Sequence, residues 1–100
     1  MRGNPSHQHR VEHMLEELIS QKVVIDLRST FVCLGTLHAI DEHFLELRNA
    51  DLHDLRDTET TRENFVAASQ ATGIKRNRKR LWVVRSEMVA IGRLEDFVDE

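Results

Sequence analysis

Residues 22–50 read KVVIDLRSTFVCLGTLHAIDEHFLELRNA, and the way this stretch alternates decides the fold. From Lys22 to Leu27, Val23, Ile25 and Leu27 stand opposite Val24 and Asp26, the period-two pattern of a strand with one buried face. Arg28-Ser29-Thr30 turns the chain. Phe31 to Ile40 reads as a second strand, with Phe31, Cys33, Gly35, Leu37 and Ala39 on one side. Val32, Leu34, Thr36, His38 and Ile40 take the other, so both sides are largely apolar. Gly35 in the strand interior predicts a sharp bend, a bulge or a close backbone approach. An apolar, kinked strand of this kind belongs to small, strongly curved barrels. Asp41-Glu42-His43 is then a tight connection. A third strand runs from Phe44 to about His53, with Leu45 and Leu47 facing inward.

The flanks read as attachments to this sheet. Asn4-Pro5-Ser6 is turn-like, and a helix is expected over 7–20, where Val11, Met14, Leu15, Leu18 and Ile19 form one apolar stripe. The opposite face is polar, so the stripe must pack on something, most simply the sheet. After a polar passage from Asp54 to Thr61, Thr60 and Glu63 fit a capping box. Phe65, Val66, Ala68 and Ala71 continue a short helix, and Gly73 is placed to stop it. A basic run of Lys75, Arg76, Arg78, Lys79 and Arg80 leads into Leu81–Val84, a fourth strand. Arg85-Ser86-Glu87 turns it into a fifth, Met88–Leu94. The chain divides into strands 1–3 over 22–54, a helical and basic insert over 55–78, and strands 4–5 over 79–95.

A chain of 100 residues is the size of one ordinary domain, and 40% hydrophobic with 31% charged residues fits a soluble globular protein. No apolar run approaches the roughly 20 residues of a membrane helix, so no membrane partner is expected. The N-terminus lacks the apolar core of a secretory signal, and Arg2 stands where myristoylation needs Gly. Cys33 has no second cysteine to pair with and reads as a small core group in a reducing, cytoplasmic setting. A net charge of −3 gives no global signal for nucleic acid, yet the concentrated basic run can hold a polyanion locally. The competing reading of that run is a solvated connector that balances Asp51, Asp54, Asp57 and Glu59. The four glycines are scattered, no phosphate loop is present, and no nucleophile–His–acid constellation emerges. The chain is therefore read as non-enzymatic and without a cofactor. One further alternative is metal-dependent hydrolysis at His9-Arg10-Val11-Glu12-His13, an H-x-x-E-H pattern whose two histidines share a helix face but lack a recognisable third ligand.

A helix followed by five short strands, with the second bent and a tight turn between the last two, resembles an Sm-like (LSm) protein. The residues that carry the resemblance are Gly35-Thr36-Leu37, Asp41 and Phe44-Leu45-Glu46-Leu47, ending at Asn49-Ala50. The second motif is Val83-Val84-Arg85-Ser86, then Met88, Val89, Ile91 and Leu94. The resemblance implies an SH3-type, five-stranded open barrel with an N-terminal helix, here with a short helix inserted between strands 3 and 4. It implies a homo-oligomeric ring, hexamer or heptamer, closed by edge strands, with Trp82 as a core or subunit-interface anchor. It implies single-stranded RNA as a partner, with a base stacked between His43 and Arg85 while Asp41 fixes the turn. Phe44 falls where the family places a base-reading Asn, and Ser86 replaces a Gly. Lys75, Arg76, Arg78, Lys79 and Arg80 would supply phosphate contacts. The alternative is an interaction scaffold that kept the ring, lost RNA binding and docks partners on the 51–78 insert.

Overall fold

The computed structural model describes residues 13–57 and 59–98. Five strands, β1 (Lys22–Leu27), β2 (Phe31–Ile40), β3 (Phe44–Asp54), β4 (Arg78–Val84) and β5 (Met88–Arg93), form one sheet in the order β4-β3-β2-β1-β5. Every neighbouring pair is antiparallel. A helix, α1 (Arg62–Thr72), lies between β3 and β4. The result is the expected mainly-β, strongly bent open barrel, with β4 and β5 as its two free edges.

The bend comes from irregularities in the β2–β3 pairing. Leu34 faces Asp51 but Thr36 faces Arg48, so β3 spends one extra residue there. Asn49 absorbs it with φ of 50°, the left-handed conformation that Asn tolerates better than most side chains. Opposite this bulge, a Cβ on Gly35 would lie 3.1 Å from the Ala50 Cβ and 3.2 Å from the Arg48 carbonyl oxygen. Only glycine lets the two backbones come this close. A second shift between Leu37 and Ala39 inserts a residue in β2 and reverses its phase. For this reason Ile40 packs with Cys33 and Leu37, although simple alternation from Phe31 puts it on the other face.

Both faces of the central strands are buried. One core holds Val23, Ile25, Cys33, Leu37, Leu45, Leu47, Ala50 and Val83, closed from one side by Leu18. The second joins Val24, Val32 and Leu34 to Val66 of α1 and to Leu94, with Phe65 and Phe97 around them. The one-faced reading of β1 is thereby corrected: Val24 is covered because α1 caps the outer side of β1 and β2. Arg62 fixes the start of α1 with a two-pronged ion pair to Asp26, 2.5 and 2.6 Å. Phe65 stacks on His53 with ring centroids 4.0 Å apart. Gln70 Nε2 donates to the carbonyls of Leu94 and Phe97, each at 3.0 Å.

Three boundaries move. The cap of α1 is Thr61, whose hydroxyl accepts from the Asn64 amide at 3.1 Å, not Thr60. Gly73 ends the helix as expected, with φ of 96°. β4 begins at Arg78, so half of the basic run is strand. Residues 13–16 are helical and residues 17–20 are turns, closed by Ser20 at φ of 72°. Leu18 packs on the sheet while Met14 stays 64% exposed. The rest of the helix expected over 7–20 lies outside the described residues, as do His9 and Glu12 of the H-x-x-E-H pattern. No described helix is long and apolar enough to cross a membrane.

Candidate nucleic-acid interface

Two tight connections, 41–43 and 85–87, meet at one end of the barrel. The first is built by Asp41. Its Oδ1 accepts the backbone amides of Phe44 at 2.7 Å and His43 at 2.8 Å, while its own amide donates to the Phe44 carbonyl at 2.9 Å. Aspartate is the residue that mimics a backbone turn in this way. Those two amides, Phe44 first and then His43, hold the Asp41 carboxyl below the usual carboxylate range. The turn therefore keeps its anchor throughout neutral and mildly acidic conditions.

Arg85 ties the last connection to this turn. Its backbone amide donates to the His43 carbonyl at 2.8 Å, and its Nη1 donates to the Asp41 carbonyl at 2.6 Å. The guanidinium is thus held beside the exposed His43. Arg28, which sequence reasoning left as a turn residue, holds the 85–87 connection from its other side: its Nε donates to the Ser86 carbonyl at 3.0 Å and its amide to the Glu87 carbonyl at 2.9 Å. No short motif marks Arg28; only the fold brings it across. Asp41, His43, Phe44, Arg85 and Ser86 are all gathered here. Phe44 pairs with Val84 at the mouth of the β3–β4 ladder and is 40% exposed.

The basic run is not part of this cluster. β4 runs away from Arg85, so Arg78 pairs with Ala50 at its far end, with Lys75 and Arg76 beyond. Seven residues at about 3.3 Å each put Arg78 roughly 20 Å from the loops. Nor do the expected acids neutralise the run. Asp54 pairs with Arg56 at 2.8 Å, and Asp51 accepts from Asn77. Arg80 alone of the five finds a carboxylate among the described residues, Glu46 at 3.3 Å, and it also lies over the Trp82 ring, 5.5 Å from the centroid. Trp82 is 56% exposed, which removes the core half of its expected role and leaves it on the free β4 edge.

No protein-family model matches the chain, and no curated protein matches it by sequence. Solved structures do. A Pyrococcus abyssii Sm protein, determined in complex with a uridine heptamer, superposes with a TM-score of 0.57 at 14% identity, covering 91% of this chain and 99% of its own. The fold is Sm-like. The P. aerophilum SmAP1 heptamer gives a TM-score of 0.53 at 17% identity over 83% of this chain and 90% of that one. A heptameric archaeal Sm protein gives 0.51 at 17% identity, covering 81% and 96%. Directly after the Asp41 turn stand Phe44 and Leu45, neither of which can hydrogen-bond a base edge through its side chain. The loop end offers a flat imidazole, a guanidinium and an aromatic rim. That arrangement can stack a base without reading it.

Proposed function

We propose that this chain is a non-enzymatic Sm-like subunit that closes into a homo-oligomeric ring and binds single-stranded RNA at its loop end. The observation that supports the binding reading is the Arg85–Asp41 contact, which ties the guanidinium plane to the turn that carries the His43 imidazole. Two planes of this kind sandwich a nucleobase for about 1–3 kcal/mol per base, with little dependence on which base it is. Phe44 in place of an amide supports weak discrimination among bases.

Ring closure is supported by the two free edges. β4 exposes Trp82 and Val84, and β5 exposes Val89, large apolar groups beside unpaired backbone donors and acceptors. An edge in that state pairs with another chain unless it is blunted. Pairing β4 of one copy with β5 of the next gives a heterologous contact, which closes as a ring. The heptameric neighbours favour seven copies over six. The buried thiol of Cys33 suits a reducing cytoplasm.

Fluorescence anisotropy with labelled oligouridine and oligoadenosine at low salt tests the binding half. Both RNAs are expected to bind with similar affinity, and His43→Ala and Arg85→Ala are each expected to weaken them by roughly tenfold. An intact ring that binds neither RNA would reject this reading in favour of a protein-interaction scaffold.

A further inference from the structure

The start of β4 is held more firmly than a run of basic residues suggests. The Asn77 amide donates to the Ala50 carbonyl at 2.8 Å. Its Oδ1 accepts from the Leu52 amide at 3.0 Å, and its Nδ2 donates to the Leu52 carbonyl and the Asp51 carboxylate, each at 3.1 Å. One asparagine thereby extends the β3–β4 pairing past Arg78. From the bulge on β3, Asn49 Oδ1 accepts from Arg76 Nη1 at 3.0 Å. Of the cations flanking Asn77, Arg76 is thus held against the bulge, and Arg78 Nη1 donates to the Asn77 carbonyl at 3.0 Å.

Two adjoining open clefts follow the bulge, of about 490 and 360 Å³, and both are lined by Asn49 and Lys79. Arg48 and Arg80 complete the larger; Arg76, Asn77 and Arg78 complete the smaller. Every lining side chain can donate a hydrogen bond, and five carry positive charge. Glu46 pairs with Arg48 at 2.5 Å and with Arg80 at 3.3 Å. Among the described residues, Arg76, Arg78 and Lys79 have no carboxylate within ion-pair distance. Arg76 and Arg78 are positioned like charges, Lys79 adds a third beside them, and a bound anion relieves their repulsion. No aromatic side chain lines either cleft, so the chemistry fits phosphates and not bases.

We propose that this bulge cleft is a second nucleic-acid site, separate from the loop end, that takes the phosphodiester backbone of a single-stranded RNA whose base is stacked at His43 and Arg85. The inference rests on the RNA-binding reading above and adds a second contact about 20 Å away, the length of β4. A short oligonucleotide fills the loop end alone; a long strand reaches both.

The test compares a short oligouridine with long poly(U) over a salt series, using the full chain, the Arg76→Gln/Arg78→Gln/Lys79→Gln variant and Arg78→Gln alone. Ring mass and circular dichroism check that each variant is folded. Single-strand binding loses about 0.7 of salt slope per phosphate contact removed. The triple variant should therefore flatten the poly(U) slope by about 2, and the single variant by about 0.7, while short-oligouridine affinity stays unchanged. An Arg76→Lys/Arg78→Lys variant should keep the full slope, because a phosphate contact needs the charge and not the guanidinium. Equal poly(U) slopes in the full chain and the triple variant would overturn the cleft. If the full chain binds poly(U) with the variant-sensitive slope but ignores short oligouridine, the cleft stands and the loop reading fails. If it binds neither RNA at low salt, both fall.

Discussion

At Gly35 the cost of a single methyl group can be stated from geometry. Its new carbon would meet two backbone atoms and the Ala50 Cβ at 3.1–3.2 Å, with no flexible side chain to move aside. Gly35→Ala should lower stability by about 1–3 kcal/mol, read as a lower urea midpoint with an unchanged m-value. An unchanged midpoint would mean that the bend is not tight. Asp41 yields a pH prediction. Its carboxyl is held below the ordinary range, so what it adds is fully present above the unfolded-state value near 3.9 and is lost as pH falls through the lower folded value. In an NMR titration the Asp41 carboxyl carbon should keep its ionised shift down to about pH 4 and move only below it; movement near pH 5–6 would contradict the clamp. Asp51 goes the other way, since burial raises its carboxyl. Its ionisation therefore costs stability as pH climbs. Asp51→Asn keeps an acceptor for Asn77 and should raise Tm at pH 7 but not at pH 3.

Helix α1 is the element that a barrel does not strictly need, yet it covers the outer face of β1 and β2. Its first turn depends on Thr61, and Thr61→Ala should cost about 1 kcal/mol while Thr61→Ser retains most of it, as measured by thermal unfolding. Equal stability of the two variants would argue against Thr61 as the cap. The strands themselves were legible because their apolar residues alternate without breakers, and Gly35 announced the bend. The phase change at Ile40 was not, because a bulge in β2 appears only once β3 is laid beside it. Asn49 carried a faint signal, being a residue that tolerates positive φ inside a strand pattern. The loop residues Asp41, His43 and Arg85 could be picked out individually. Their hydrogen bonds to one another, and the roughly 20 Å between them and the basic run, depend on strand direction and were not available from spacing.

For the whole molecule, the free edges set the expected assembly. Trp82→Glu places a charge on the exposed β4 edge without touching either core, so the subunit should stay folded while the proposed ring comes apart. Light scattering should show the mass fall to that of one chain, and RNA affinity should drop with it because linked sites are lost. A ring that survives the substitution would place the subunit contact elsewhere. The strand order has one more consequence, and it concerns synthesis. β1 needs β5 as its second neighbour, and Val23 pairs with Arg93, 70 positions later (93 − 23). While the chain emerges from the ribosome, β1 therefore waits with one side open until β5 is out. During that interval the nascent sheet ends at β1, and late-arriving β5 both covers that edge and replaces it with its own. Burial of the β1 edge and exposure of the β5 edge are thus the same event.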